Sequence, residues 1–529
     1  MKYLQVCILF LLFSVNFVAA QPVYERHTHE VYSFLARMAQ KGLLEWNDNI
    51  KPITKQEILA ALDSLTTKKV VLTTLEQKEL AFYKGEFQLE SRKRILSLSN
   101  KDFTIRVLPI ITGQLVEEGT RRMVRRSVGA QLFGQIGKNW GYQLSVQDFS
   151  EHGKNLDTNR TGLDANHETG FVLQSAKKVD ALNYLELRGH VSYSFKKGTV
   201  SIGQDYLLWG YGQTGKIVLS DKAPTYPYFR LDLQPYPWLR FNYTHAWLKS
   251  DLIDSARSYT IPNGLFGGVR EVFIAKYMAT HTLDFRVMRG LNISVGESIL
   301  YTDRMNVAYL IPVLFFKAFD NYAGSGSITR GSNGQFFFQV SSRNQLKNTH
   351  LYATLLVDEI KISRVLDKVE QRNQIGYTVG GSITDLGLPY LILGAEYTKV
   401  RPFVYRNFLP QQNYTTANFL MGDWMGANAD RIEFIANYHP RARLNVRAYY
   451  RLMKKGGLGT VEQQYYLTPT PVYGFDPQYK TSKISLETSY ELYSNVNILV
   501  GYSRYQVTPN LQKSVTSNQV NIGLVFSPY

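Results

Sequence analysis

The chain has 529 residues, a formal charge of +17 and a single cysteine, Cys7. That length ordinarily means several domains, but closed β architectures hold it in one. One cysteine excludes a disulfide framework, and the basic balance favours acidic partners such as lipopolysaccharide phosphates or an acidic polysaccharide.

Residues 1–20 read as a secretory signal peptide. Lys2 supplies the positive start, Leu4 to Val18 the apolar core, and Val18-Ala19-Ala20 a small-residue cleavage site before Gln21. Cys7 lies inside that segment, too early for a lipoprotein cysteine, so the mature chain carries no thiol, which suits export. Nucleic acid is therefore not an expected partner. No later stretch offers eighteen consecutive apolar residues, which excludes a transmembrane helix on length. An exported chain without a helical anchor is either a secreted soluble protein or a barrel.

Helices come next. Val31, Phe34, Leu35 and Met38 share one helix face, ended by Lys41-Gly42. A second helix starts at Thr54, with Glu57 completing a capping box and Ile53 stapled to Ile58. Thr73 with Glu76 marks a third, running toward Tyr83. Three short helices bury little area alone, and the expected support is the periplasmic mouth of a barrel.

From about Asp102 the period changes to two. The clearest runs predict eighteen strands: 102–112, 125–136, 139–149, 183–196, 198–207, 226–233, 238–248, 271–287, 291–301, 334–342, 350–357, 372–384, 390–400, 430–439, 442–452, 482–493, 496–507 and 517–527. The last are the clearest. Ile484, Leu486, Thr488 and Tyr490 alternate with Ser485, Glu487 and Ser489, and Val520, Ile522, Leu524 and Phe526 alternate with Asn521 and Gly523. Links alternate between short (Gly137-Lys138, Pro440-Arg441) and long (150–182, 208–225, 249–270, 302–333, 401–429, 453–481). Transmembrane β-barrels have short periplasmic turns, long external loops and aromatic girdles, and the chain holds 36 Tyr and 28 Phe. The competing reading is a soluble sandwich, but sandwiches seldom place so many charges mid-strand. Glu297 falls on the apolar face of 291–301, where a bulge or a register error is expected. Tyr309 to Phe316 is an apolar run in a predicted external loop, expected either to constrict the lumen or to extend a strand.

Gly210-Tyr211-Gly212-Gln213-Thr214-Gly215 is a literal G-x-G-x-x-G. A dinucleotide site needs that motif between a buried parallel strand and a helix, whereas here it follows an alternating strand and precedes the β-like Lys216 to Leu219. These are loop glycines, and no cofactor is expected. The same stretch, Trp209-Gly210-Tyr211-Gly212, then Lys216 to Pro224 and Tyr226-Pro227, resembles the W-G-P-G … L-x-L-S-x-N-A … P signature of the capsule assembly protein Wzi family. Tyr211 stands where that signature has Pro and Lys222 where it has Asn. The resemblance implies an eighteen-stranded outer-membrane barrel with a periplasmic helical bundle, and a lectin-like role in attaching capsular or surface polysaccharide.

Sugars offer an apolar ring face edged by hydroxyls, so aromatic platforms beside polar groups are the residues to seek. Two predicted external loops supply them: Asp205 with Trp209 and Tyr211, and Tyr414 with Asp423, Trp424, Asp430 and Arg431. Arg401 and Arg406 are suited to uronates. For each aromatic the competing role is a membrane-interface anchor. Ser332-Asn333-Gly334 resembles a phospholipase serine motif, but Arg330 stands where the base histidine belongs, so the serine has no activator. His27-x-His29 sits ahead of a helix, where i, i+2 side chains diverge, and no metal is expected.

The expectation is a signal peptide at 1–20, a periplasmic helical bundle at 21–95 and an outer-membrane barrel at 96–529. It is taken to be monomeric and non-enzymatic, holding surface polysaccharide amid lipid and lipopolysaccharide. A gated porin or transporter is the alternative. Val446→Arg should cost roughly 2–4 kcal/mol if Val446 faces lipid at mid-depth, and Asn445→Arg much less. Equal tolerance at both positions, measured by folding into lipid, contradicts the register.

Overall fold

The computed structural model describes residues 22–526 except 68–70, 88–95, 101, most of 155–171, 178–179, 262–267, 324–330, 360–372 and 494–495. The expected signal peptide lies outside the described residues.

Eighteen antiparallel strands close into a barrel. In chain order they are β1 Phe103–Glu118, β2 Arg121–Ile136, β3 Trp140–Gly153, β4 Ala181–Phe195, β5 Gly198–Asp205, β6 Tyr226–Tyr236, β7 Leu239–Leu248, β8 Lys276–Met288 and β9 Leu291–Thr302. The second half is β10 Asn333–Arg343, β11 Thr349–Glu359, β12 Gln374–Thr384, β13 Leu391–Val400, β14 Ala429–Arg441, β15 Leu444–Gly456, β16 Pro477–Tyr493, β17 Val496–Pro509 and β18 Val515–Phe526. Each pairs with the next, and β18 returns to β1 with Phe526 opposite Ile111, so the ring has no free edge. Every predicted strand is present. The first runs on to Glu118, because adjacent Leu115 and Val116 blur the alternation that would have extended it.

The wall is inverted relative to a soluble protein. On β4, Leu185, Leu187 and Val191 are 53, 38 and 46 % exposed, while Arg188, His190 and Ser192 are 3, 4 and 1 % exposed. A soluble sandwich would do the reverse. Trp238 stacks on Tyr236 at 5.5 Å and Trp140 leans on Tyr193 at 5.0 Å, all beside the short turns, where an interface girdle belongs.

Two expectations are corrected on β9. No bulge accompanies Glu297: β9 pairs with β10 in unbroken register from Leu291 to Leu300. Glu297 does point outward, and it is buried because the following link covers it. The run from Tyr309 to Phe316 neither constricts the lumen nor extends a strand. Tyr309 and Phe316 instead pack on outward residues of the wall, Tyr243, Ala279 and Ile299.

The N-terminal helices are α1 Val31–Gln40, α2 Lys55–Thr67 and α3 Thr74–Phe87. Val31, Phe34, Leu35, Met38, Ile58 and Leu62 share one core, as their 3.6-residue period requires. Thr73 and Glu76 form a reciprocal box, each backbone N–H donating to the other's side chain at 2.9 and 3.3 Å. At Thr54 half the box forms: Glu57 N–H donates to Thr54 Oγ1 at 3.2 Å, while the Glu57 carboxylate pairs with Arg240 at the foot of β7. Gly42 ends the first helix region at φ +73, a left-handed value that a side chain resists.

The bundle docks against the short-turn end of the barrel. Gln40 Nε2 donates to the carbonyls of Asn348 and Ser382, both at 2.9 Å, and Lys41 pairs with Asp385 at 2.9 Å. Arg343 of β10 donates to Asp48 at 2.6 Å and to the Trp46 carbonyl at 2.8 Å. Burial pushes the Asp48 carboxyl up, but the Arg343 and Lys51 charges outweigh it and hold it well below the usual carboxylate range. A depressed carboxyl contributes its stability in full above its unfolded value, about pH 4, and loses it as pH falls toward the folded value. Asp48→Asn should loosen the docked segment by about 3–5 kcal/mol, since it strands a buried guanidinium. Limited proteolysis should then release the N-terminal helices of the variant at pH 7, and those of the wild type only below about pH 4. Equal resistance of both proteins at pH 7 contradicts the anchor.

Candidate functional site

A ring of this size is wider than its wall side chains can fill. Two long links do the filling. Residues 206–225, between β5 and β6, and 401–428, between β13 and β14, fold inward and pack together through Trp209, Ile217, Leu219, Tyr405, Tyr414 and Met421. The N-terminal segment joins them: Ile50 and Lys51 pair with Trp209 and Leu208, and Gly210 N–H donates to the Asn49 carbonyl at 2.8 Å.

The glycine loop is the hub of this plug. Gly210 sits at φ +125. A Cβ on Gly212 would lie 2.3 Å from the Gly215 carbonyl oxygen, and one on Gly215 would lie 2.2 Å from Asp423 Oδ2. Small residues let the backbone curl around Glu396 of β13, whose carboxylate accepts the amides of Gln213 and Thr214 at 2.5 and 3.1 Å and the Tyr352 hydroxyl at 2.7 Å. Thr214 in turn accepts Arg431 Nε at 2.9 Å through Oγ1 and Trp424 Nε1 at 3.0 Å through its carbonyl. Lys216 Nζ donates to the Gly210 carbonyl at 2.7 Å, and burial pushes its ammonium down to about 8.

The sequence-predicted residues converge here, inside the barrel mouth and not on projecting loops. Asp205 is buried and takes both arms of Arg188, at 2.6 and 3.2 Å. Trp209 is 1 % exposed and meets Phe337 edge to face. The Tyr211 hydroxyl donates to Asn47 at 3.0 Å. Tyr414 stacks on Tyr405 at 5.7 Å and donates to the Val218 carbonyl at 2.7 Å. Asp423 and Arg431 form a bidentate pair at 3.0 and 3.1 Å with neither side chain exposed. Trp424 lies under the Arg431 and Arg451 guanidinium groups at 4.9 and 5.1 Å. Half-buried Asp430 accepts the Tyr397 hydroxyl at 3.0 Å. His27 and His29 diverge, to Asp221 at 3.2 Å and Glu86 at 3.5 Å.

Above the plug, at the long-loop end, lies a cleft of about 310 Å³ lined by Lys317, Asp358, Glu359, Arg406, Gln412 and Tyr465, among others. The Tyr465 hydroxyl donates to Glu359 at 3.3 Å, and Phe408 meets Tyr465 and Tyr466 edge to face at 5.5 and 6.4 Å. Tyr466 is 67 % exposed. Rings beside carboxylates, amides and a guanidinium are what a sugar needs. Of this set only Arg406 stands out in the sequence as a sugar-binding candidate. The signal that would have found the rest is the tyrosine pair Tyr465-Tyr466 in a long polar link.

Arg431→Met leaves the Asp423 carboxylate buried and unpaired, at a cost of about 3–5 kcal/mol. The plug loops should become protease-sensitive and the barrel should pass ions in a planar bilayer, while heat-modifiable migration on gels is kept. A variant with protected loops and no conductance contradicts the network.

Comparison with solved structures supports the same architecture. The Wzi protein of Escherichia coli, an outer-membrane carbohydrate-binding β-barrel involved in group 1 capsule assembly, matches with a TM-score of 0.58 at 13 % identity, covering 96 % of this chain and 100 % of that one. OccAB2 of Acinetobacter baumannii matches more weakly, with a TM-score of 0.45 at 12 % identity, covering 80 % of this chain and 97 % of that one. A sequence comparison with curated proteins finds no match. The family model described as capsule assembly protein Wzi matches residues 126–521, well over half of the chain, and the protein therefore belongs to that family.

Proposed function

We propose that the protein is an integral outer-membrane barrel that holds capsular or other surface polysaccharide at the cell surface without chemistry on it. Residues 1–20 direct export, 21–95 form the periplasmic plug, and 96–529 form the barrel, with the long-loop face outside. The carrying observation is the cleft of rings and charges around Tyr465 and Arg406, seated on a lumen filled from both ends. Asp205, Trp209, Tyr211, Tyr414, Asp423, Trp424, Asp430 and Arg431 serve that face by fixing the loops beneath it. Many weak contacts to a repeating polymer then sum by multivalency, so a monomer suffices. The basic surface adds attraction to acidic polymers that salt screens.

One observation favours the porin reading. Inward Gln114, Ser503, Gln519 and Asn521, on β1, β17 and β18, are only half-buried, which suits water beside the plug. Conductance separates the two readings: a silent barrel retained on an acidic-polysaccharide column supports holding, and steady current unaffected by polysaccharide supports transport. Replacing Tyr465 and Tyr466 together by Ala should weaken retention by about tenfold, roughly 1.4 kcal/mol, without unfolding the barrel. Unchanged retention by the doubly substituted protein contradicts the cleft as the site.

A further inference from the structure

The link after β9 starts at the long-loop end, yet residues 303–323 do not project into solvent or enter the lumen. They run back over the outer wall. The alternation fixes the side: Asn49, in the lumen, reaches Asp284 and Ser294 at 2.9 and 3.1 Å, so even-numbered residues of β8 and β9 face inward and odd ones outward. Outward Tyr243, His245, Ile299 and Tyr301 are nevertheless fully buried, and what buries them is Tyr309, Phe316 and their neighbours.

The segment is held by polar groups that a lipid-facing wall should not carry. Glu297, 3 % exposed, accepts the amides of Phe316 and Lys317 at 2.6 and 3.3 Å, at the start of the helix Phe316–Ala323. His281, its partner across β8 and β9, lies 3.2 Å from that carboxylate and donates through Nδ1 to the Pro312 carbonyl at 2.9 Å. His245 meets the Tyr301 hydroxyl at 2.7 Å, and the Tyr243 hydroxyl donates to the Tyr309 carbonyl at 2.7 Å. The opposite surface of the segment is apolar: Val307, Ile311, Val313 and Phe315 are 69, 49, 79 and 56 % exposed. Phe315 packs on Phe336 of β10 at 5.9 Å, one outward position from Phe338, which belongs to the exposed apolar belt of the barrel. The apolar strip of the segment therefore continues that belt.

We propose that residues 307–316 are a membrane-embedded cover, anchored on Glu297, whose outer surface takes the acyl chains of the outer leaflet. It replaces lipid over a patch of wall where His245, His281 and Glu297 would otherwise meet hydrocarbon; its backbone meets His281 and Glu297, and the wall's own Tyr301 hydroxyl meets His245 beneath it. The inference rests on the barrel's insertion in a membrane, so the test carries a control for that. In a chain with Cys7→Ser, Val313→Cys is labelled with a polarity-sensitive fluorophore, and Val191→Cys, on the bare wall of β4, is labelled in parallel. Both proteins are folded into vesicles containing chain-brominated phospholipid. Quenching of both labels by bromine and of neither by aqueous iodide is the expected result. Bromine quenching at Val191 with iodide quenching at Val313 overturns the cover alone, and no bromine quenching at either position overturns insertion as well. A Val313 label shielded from both quenchers in a cross-linkable dimer overturns it in favour of a second copy. Glu297→Ala should raise iodide quenching at Val313 several-fold and leave Val191 unchanged. No change at Val313 overturns the anchor.

Discussion

Hydrocarbon accepts no hydrogen bond, so every amide and carbonyl along the spanning strands must be paired sideways by a neighbouring strand. The last strand meeting the first, from Phe526 opposite Ile111 to Gln519 opposite Glu118, completes that pairing. The rest of the architecture is a consequence. An even number of strands leaves both chain ends at the same rim, where the helical bundle docks. A ring of eighteen leaves a lumen that wall side chains alone do not span, and two long links turn inward to occupy it.

The filling is specified by charges more than by shape. Trp209, Ile217 and Tyr414 give the plug an apolar centre, but what ties the inner segments to particular strands is a set of desolvated ion pairs and carboxylates: Arg343 with Asp48, Arg431 with Asp423, and Glu396 gripping the glycine loop, beside the Arg188–Asp205 pair between β4 and β5. Such pairs cost desolvation and are tolerable only when each partner is fully met, so a shifted loop leaves a buried charge alone. The result is a fixed mouth. Under the proposed role of holding a polymer through many weak contacts, a rigid face is useful because little ordering is lost at each contact.

The eighteen strands were legible because a wall with hydrocarbon on one side and a polar lumen on the other imposes a strict period of two, as at Leu185 to Phe195. The helices were legible through their 3.6 period and the Thr73–Glu76 box. Where the long links go was not legible, because a link's destination is set by partners distant in sequence: the Gln213 and Thr214 amides bind Glu396 of β13, and Tyr211 binds Asn47. The eight residues selected as sugar contacts were selected for chemistry that equally serves a buried plug, and all eight lie in or against it. Glu297 looked like a defect because alternation alone gives a charge on the lipid face no reason to be there. Its reason is the start of a helix nineteen residues on. Tyr465, which lines the outer cleft, and the neighbouring Phe408 and Tyr466 carried no period at all.

The central claim is that a closed barrel keeps surface polysaccharide attached to the cell that makes it. The most direct measurement is the partition of that polysaccharide between cells and medium in a strain lacking this chain. The account predicts unchanged total synthesis, with most of the polymer shed into the medium and retention restored by the wild-type protein. Polymer that stays on the cells in full without the protein would contradict it.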